Sequence, residues 1–355
     1  MDRQAIDRTV GRLSDLCAGL GPLQIMEICG THTVSLFRSG VKSLMPRSLR
    51  LVSGPGCPVC VTSQGYIDAA CDLADRDDVT ICTYGDMVRV PGRHGSLEHR
   101  RGRGARVVVV YSARDALQYA KAHPQTNVVF LAVGFETTTP PTAATLIEAR
   151  REEVGNFYVL AAHKRVVPAI MALLAGGDMP IDGFLCPGHV SVIIGAAAYE
   201  PIVAAYRKPC VVAGFEPLSM LQGIAAIVEQ AAAGEARVDN AYSAVVTGEG
   251  NARARALIDE VFQPGPAVWR AIGTIDDSGL VLRDAYARFD AVTALDVALG
   301  ADYEPPGCRC GQVIQGKVLP TECPLFGKAC TPAAPIGPCM VSSEGVCAAW
   351  YKYGR

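Results

Sequence analysis

Short apolar runs alternate with amphipathic segments along most of the chain. The runs predict buried strands at 23–28, 49–53, 79–83, 106–111, 128–133, 157–162, 183–186, 210–213 and 244–247. Segments with helical spacing of apolar residues lie at 3–20, 66–74, 113–122, 142–150, 167–175 and 218–232. Buried strands that alternate with helices predict parallel α/β sheets. The carboxyl ends of parallel strands meet at one edge of a sheet, where ligands usually bind.

Two stretches of the sequence suggest an internal repeat. GPGCPVC at 54–60 precedes a helix, and CPGHVSVIIG at 186–195 opens one. We therefore predict two related, Rossmann-like parallel-sheet lobes that face each other across a cleft. The first comprises residues 1–140, with an N-terminal helix, and the second comprises residues 141–300. The segment 301–355 is rich in Pro, Gly and Cys, and such a segment usually needs a metal to order it.

The charge balance narrows the classes of partner. The chain has 33 basic and 35 acidic residues, a formal net charge of -2, which gives no reason to expect nucleic acid or an anionic membrane. The N-terminus lacks the apolar core of a signal peptide. No apolar stretch reaches the roughly 18 residues of a membrane helix. We therefore expect a cytoplasmic protein.

The cysteines carry the strongest chemical signal. The chain has 14, and a reducing cytosol favours metal binding or thiol chemistry over disulfides. Six of them lie in the C-terminal segment, at Cys308, Cys310, Cys323, Cys330, Cys339 and Cys347. Four thiolates hold a zinc ion or a cubane iron–sulfur cluster. The wide gaps favour a cluster over zinc knuckles, although zinc and no metal remain alternatives.

A second pair of cysteines has the spacing of a redox motif. Cys57 and Cys60 follow a predicted strand and precede a helix. A helix start stabilises a thiolate, so we expect one of the two thiols to have a lowered pKa. The spacing allows a disulfide or a metal site. The alternative is two small apolar residues at a tight turn.

Four further residues at predicted element ends could carry chemistry. Cys29 and His32 in CGTHT could bind one iron or zinc ion, form a nucleophile–base pair, or be structural. Glu136 in GFETT could act as a general acid or base, accept a hydrogen bond, or simply be solvated. His189 opens a predicted helix, where a capping or core histidine is the alternative. All lie where strand-end loops could line a common cleft.

Taken together, the sequence resembles the HypD family of hydrogenase maturation factors. The resemblance is carried by MEICGTHT at 26–33, GPGCPVCV at 54–61, VGFETTTP at 133–140, CPGHVSVIIG at 186–195, VVAGFEP at 211–217 and ECPLFGKACTPAAPIGPCMVSSEGVCAAWYKY at 322–353. It implies a scaffold with a [4Fe-4S] cluster. With a HypC-type chaperone, the scaffold would hold iron while cyanide and carbon monoxide ligands are installed. The cyanide would come from a HypE-type donor that HypF loads.

The resemblance also assigns roles to residues. Cys29 and His32 would hold the iron, and Cys57 with Cys60 would be a redox-active dithiol. The cluster ligands would be Cys308, Cys323, Cys330 and Cys347, with Cys310 or Cys339 as alternatives for one of them. Such a protein would be an assembly scaffold with redox activity rather than an ordinary enzyme. The main rival is an iron–sulfur-dependent disulfide reductase, which would use the same thiols. A zinc-stabilised binding module is a second rival.

Overall fold

The computed structural model describes residues 3–177 and 180–354. Within them the strands are β1 (Leu23–Glu27), β2 (Leu49–Ser53), β3 (Val79–Thr83), β4 (Val107–Val109), β5 (Asn127–Gly134), β6 (Phe157–His163), β7 (Gly183–Pro187), β8 (Cys210–Ala213), β9 (Val238–Asn240), β10 (Phe262–Trp269) and β11 (Gly273–Leu282). The helices before β7 are α1 (Arg3–Ala18), α2 (Gly30–Arg38), α3 (Pro58–Val61), α4 (Gln64–Ala74), α5 (Gly85–Val88), α6 (Leu97–Gly102), α7 (Ala113–Ala122), α8 (Thr139–Arg151) and α9 (Val166–Ala175). Those after it are α10 (Gly188–Ile194), α11 (Glu200–Tyr206), α12 (Pro217–Ala233), α13 (Ala252–Val261), α14 (Ala291–Ala294), α15 (Cys310–Ile314), α16 (Pro338–Val341) and α17 (Val346–Tyr353).

Two parallel sheets form the framework, as the sequence predicts. One has five strands in the order β2-β1-β7-β8-β9, and the other has four in the order β4-β3-β5-β6. Strands β10 and β11 form a separate antiparallel hairpin. The fold is therefore α/β with a Cys-rich C-terminal region.

The sheets do not follow the order of the chain. Strand β1 pairs with both β2 and β7, so the five-stranded sheet combines the beginning of the chain with residues 183–240. Strand β6 lies beyond residue 140 but belongs to the sheet of β3–β5. Each sheet thus draws strands from both of the segments predicted as lobes, 1–140 and 141–300.

One local prediction is wrong, and one element was not predicted. Residues 244–247 form a turn and an irregular segment instead of a strand, and the edge strand of the five-stranded sheet is β9, a few residues earlier. The hairpin β10–β11 was not predicted. Its two prolines, Pro264 and Pro266, and its polar and glycine positions interrupt the apolar pattern of a strand. The remaining predicted strands and helices are present with small shifts of their ends.

A central core joins the two sheets and the C-terminal region. Alternate residues of a strand face opposite sides of a sheet. Thus Ile25 of β1 packs with the α1 and α12 layer, whereas its neighbour Met26 faces the central core. Val129 of the other sheet belongs to the same core, and so do Met340 and Val346 of the tail. The C-terminal segment is therefore buried against both sheets rather than attached at the surface.

No single helix within residues 3–177 and 180–354 has the length and apolar character to cross a membrane. The helical segments Gly188–Ile194 and Ala196–Tyr206 would reach that length only as a pair, and they are bent by 102°.

One buried histidine gives the fold a pH dependence. His163 at the end of β6 is 1% exposed, and its Nε2 lies 3.1 Å from Oγ1 of Thr142. Burial lowers the pKa of His163 to about 3, against about 6.5 in an unfolded chain. Below that unfolded pKa the unfolded state binds more protons, so stability falls as the pH falls.

We expect the variant His163→Asn to be less sensitive to acid than the wild type, because Asn does not titrate. Between about pH 7.5 and about pH 5.5, the wild type should lose about 1.4 kcal/mol more unfolding free energy than the variant. Chemical denaturation of both proteins at the two pH values measures this difference. Equal losses would contradict the prediction.

Candidate functional site

The five-stranded sheet places several predicted site residues at one edge. Its strands are all parallel, but from the boundary between β1 and β7 the strand order runs outward in opposite directions, which makes a crevice at the carboxyl ends of these two strands. Cys29 follows β1 and begins α2, whereas His189 follows β7 in the first turn of α10. Cys57 follows the neighbouring strand β2. The parallel topology therefore brings three sequence-distant residues to the same edge.

The loops that carry Cys29 and Cys57 are in direct contact. The backbone N–H of Gly30 donates a hydrogen bond of 3.2 Å to the carbonyl of Gly56. A Cβ on residue 56 would lie 2.4 Å from the backbone nitrogen of Cys29. Only glycine fits there, so the GPGC motif lets the two cysteine-bearing loops pack backbone to backbone.

The Cys29 side chain occupies the start of α2. It makes no capping hydrogen bond to the helix, although the nearby backbone of His32 and Thr31 favours the thiolate form. Burial, together with the negative charge of Glu344, nevertheless raises the pKa of the Cys29 thiol to about 11. The group is therefore a neutral thiol at neutral pH unless a metal replaces its proton.

His32 lies in the first turn of α2. It is 0% exposed. Its Nε2 lies 2.9 Å from the carbonyl of Gly214 and 3.2 Å from that of Ala213. Because both partners are acceptors, Nε2 carries the proton and Nδ1 carries the lone pair. Nδ1 is buried and has no hydrogen-bond partner among the described residues.

The protonation state of His32 follows from its burial. Desolvation lowers the pKa of the imidazole to about 4, although the two carbonyls oppose this shift. The ring is therefore neutral at physiological pH, which is the form that binds metals. A histidine that donates one N–H to a backbone carbonyl and keeps the other nitrogen free has the arrangement typical of a metal ligand.

Cys57 and Cys60 lie at the short helix α3. Cys57 precedes the helix, and its sulfur accepts a hydrogen bond of 3.3 Å from the backbone N–H of Cys60. Burial raises the pKa of the Cys60 thiol well above its ordinary value. For Cys60 this is opposite to the lowered pKa that we expected for one of the pair. The helix has only four residues, and desolvation outweighs the effect of its N-terminus.

A continuous series of thiol contacts runs from this pair into the tail. The Cys60 thiol interacts with the thiols of Cys339 and Cys57, and both affect its pKa. Cys339 in turn contacts the thiols of Cys310 and Cys347, and Cys310 contacts Cys308. The dithiol and the tail cysteines, which are far apart in the sequence, are therefore one connected group.

The other two predicted residues occupy different surroundings. Glu136, beyond the end of β5, is buried, and its Oε1 accepts a hydrogen bond of 2.9 Å from the backbone N–H of Val166. Burial raises the pKa of Glu136 to about 7. This hydrogen bond joins Glu136 to the start of α9 and not to another predicted site residue. His189 is exposed and stacks on Phe215, which also contacts His32.

Comparison with known proteins identifies the family. The sequence model of HypD, described as "Hydrogenase formation hypA family", matches residues 4–354. The chain belongs to the HypD family. It is 46% identical over 333 residues to the hydrogenase maturation factor HypD of Escherichia coli K12, covering 94% of this chain and 89% of that protein. It is 47% identical over 338 residues to HypD of Cupriavidus necator, with 93% and 89% covered.

An archaeal relative extends the similarity over the whole length. A putative hydrogenase expression/formation protein of Methanocaldococcus jannaschii is 42% identical over 354 residues, which cover 100% of this chain and 98% of the relative. The HypD-type chain is therefore a hydrogenase maturation factor.

The tail of this HypD-type chain supplies donors suited to an iron–sulfur cluster. All six tail cysteines line one apolar pocket with Leu325, Phe326 and Met340. Thiolates in an apolar pocket are the ligand set of such clusters. The pocket volume is about 10 Å³, so a cluster would replace the present thiol–thiol contacts. Among the described residues, no three His, Cys, Asp or Glu side chains form a site for a single metal ion.

Thiol contacts divide the tail cysteines into two groups. Cys310 and Cys339 are fully buried and form the link to Cys60. Cys323 and Cys330 take no part in that link: Cys323 donates to the carbonyl of Gly307, and Cys330 accepts from the backbone N–H of Ile336. The ligand set that the resemblance implies, Cys308, Cys323, Cys330 and Cys347, therefore combines two thiols of the series with the two outside it.

Sequence reasoning missed one residue next to Cys29. The Oε1 of Glu344 accepts a hydrogen bond of 2.6 Å from the hydroxyl of Thr31. A Cβ on residue 30 would lie 2.4 Å from the carbonyl oxygen of Glu344. The only sequence signal for Glu344 was its position inside the matching tail motif, because no local pattern links residue 344 to residue 29.

We expect Cys323→Ala and Cys330→Ala to lose cluster iron and the absorption near 400 nm. Each variant removes an expected cluster ligand that takes no part in the series of thiol contacts with Cys60. Cys310→Ala is the matched control and should keep both. Iron analysis and anaerobic absorption spectra of the purified variants measure the outcome. A variant Cys323→Ala with full iron content, or a colourless Cys310→Ala, would refute this ligand assignment.

Proposed function

We propose that this maturation factor holds an iron ion at Cys29 and His32 while its cyanide and carbon monoxide ligands are installed for a [NiFe]-hydrogenase. The observation that carries the proposal is the hydrogen bonding of the two ring nitrogens of His32. Its Nε2–H is fixed by two carbonyls, and its Nδ1 is a buried lone pair without a partner. Burying a polar atom without a partner costs free energy, and a bound metal ion would supply the missing partner of the His32 Nδ1.

The thiol at the start of the same helical turn supplies the second donor. Thiolate is a soft ligand and suits iron that carries cyanide and carbon monoxide. The backbone of His32 and Thr31 near the Cys29 sulfur favours its thiolate form. Two donors leave further coordination positions open for the diatomic ligands and for a donor from a partner. We assign that partner role to a HypC-type chaperone, with a HypE-type protein, loaded by HypF, as the source of cyanide.

The tail adds a redox function to the same site. The six cysteines in their apolar pocket fit a [4Fe-4S] cluster, with Cys308, Cys323, Cys330 and Cys347 as ligands, and this cluster would supply one-electron chemistry. The thiol series connects that pocket with Cys57 and Cys60, which lie beside Cys29. A role as a disulfide reductase would explain the clustered thiols but would not explain why the His32 ring is oriented by two carbonyls.

Thiol–disulfide exchange along the series is chemically balanced. The Cys339 thiolate attacks Cys60 of a Cys57–Cys60 disulfide, and Cys57 leaves as a thiolate. Cys310 then attacks Cys339 of the mixed disulfide and releases Cys60. The disulfide has moved to Cys310 and Cys339, and two electrons have moved to Cys57 and Cys60. Each attack joins thiols that are already in contact.

The iron site can be tested separately from the cluster. We expect Cys29→Ala to abolish the cyanide and carbon monoxide infrared bands of protein purified with its HypC-type partner, and to keep the absorption near 400 nm. His32→Ala should weaken or shift the bands, because it removes a neutral nitrogen donor. Cys17→Ala changes a buried cysteine of α1 outside the site and should retain them. Normal bands in Cys29→Ala would overturn the proposal.

The redox series can be tested by trapping. After mild oxidation and acid quenching, mass spectrometry of the wild type should detect disulfides between Cys57 and Cys60 and between Cys310 and Cys339. Cys310→Ser should accumulate the Cys60–Cys339 mixed disulfide, because the second attacking thiol is missing. Cys82→Ser, which removes a buried thiol of β3, is the control and should behave as the wild type. Absence of any Cys57–Cys60 disulfide would exclude the redox role.

A further inference from the structure

Three aromatic rings form a stack from the surface to His32. His189 is exposed, Phe215 is half-buried and His32 is fully buried. The ring centroids of His189 and Phe215 lie 4.0 Å apart in a stacked arrangement, and those of Phe215 and His32 lie 4.7 Å apart. Phe215 also meets the edge of Tyr242 at 6.5 Å. Phe215 is thus the single layer between the exposed imidazole and the buried one.

The backbone around Phe215 is fixed on both sides. The N–H of Gly214 donates a hydrogen bond of 2.9 Å to the hydroxyl of Ser219, and its carbonyl accepts from His32. On the other side Glu216 caps α12. Glycine is required at residue 214, since a Cβ there would lie 2.9 Å from both the Tyr242 ring and the Ser219 hydroxyl. Rotation of the Phe215 side chain therefore needs no movement of the loop that orients His32.

The opposite side of the α2 start is closed by backbone. Gly30 packs against the carbonyl of Glu344, and Thr31 bonds its carboxylate. Opening that side would require the tail to withdraw, whereas opening the Phe215 side requires only its ring contacts with His32, His189 and Tyr242 to break. Each aromatic pair contributes only about 0.5–1.5 kcal/mol, so the ring contacts are the easier ones to lose.

We propose that Phe215 is the gate of the metal site: its side chain swings away from His32 to admit iron and returns to cover it. This inference rests on the proposed function of Cys29 and His32. Phe215 is a positioning residue and binds no metal itself. His189 stands on the outer side of the gate, where its exposed imidazole is the first donor that an incoming metal ion meets.

Access to His32 can be measured without iron. Diethylpyrocarbonate acylates neutral imidazoles, and His32 has a neutral ring with an unpartnered Nδ1. We expect slow modification of His32 in the complete wild-type chain. Phe215→Leu and Phe215→Ala should raise that rate, by about tenfold for Ala, because the ring contacts with His32, His189 and Tyr242 are lost. Peptide mass spectrometry follows each histidine separately, so the exposed His189 reports reagent activity.

His163 provides an internal control, because it is equally buried but lies on another sheet. It should stay protected in both variants. Faster modification of His163 together with His32 would indicate general loosening and would overturn the gate. Unchanged reactivity of His32 in Phe215→Leu and Phe215→Ala would also overturn the gate. A larger increase of His32 reactivity in Thr31→Val would overturn it too, because it would place the opening on the side of the tail.

A second measurement separates the gate from the iron site. In the complex with a HypC-type partner, Phe215→Leu should load and release iron faster but reach the same final intensity of the infrared bands. A lower final intensity with unchanged rates would mean that Phe215 supports the site structurally, and the gate would be wrong. Absence of the infrared bands in the wild-type complex would instead refute the iron site. The histidine reactivities would still show whether Phe215 controls access to His32.

Discussion

The contact between the tail and helix α2 is the constraint on which the candidate site depends. At the start of the helix, Gly30 lies against the carbonyl of Glu344 so closely that no side chain fits. At its other end, Phe37 meets the ring of Trp350 edge to face at 5.2 Å. The helix that begins with Cys29 is therefore held at both ends by the cysteine-rich segment. Any rearrangement of the tail pocket is transmitted to the turn that carries the proposed iron ligands.

Burial dominates the chemistry of this site. Desolvation keeps the thiols of Cys29 and Cys60 protonated and the imidazole of His32 neutral. Neutral thiols are poor nucleophiles, so the Cys29 thiol of the free protein resists alkylation. A metal ion would have to displace the proton of this thiol, so metal binding at Cys29 would release a proton.

The sequence predicted local structure well and long-range arrangement less well. Apolar runs in the sequence marked the parallel strands. The positions of these runs also showed that Cys29 and Cys57 directly follow strands. The pairing of β1 with β7 is not visible in any local pattern, because hydrophobic periodicity reports burial but not the identity of the neighbour. For the same reason Glu344 could not be connected with Cys29. The contact of Phe215 with His32 also depends on tertiary placement alone.

The interleaving of the sheets has a consequence for the order of events on the ribosome. Strand β1 lies between β2 and β7, so the N-terminal strands stay without their second neighbour until residues 183–187 have emerged. The Cys29 turn then waits for Glu344, which is synthesised 313 residues after its hydrogen-bond partner Thr31. Folding units with such distant contacts form late. The turn that carries the proposed iron ligands is therefore not fully packed in a short nascent chain, so the proposed site would form only after both segments have been made.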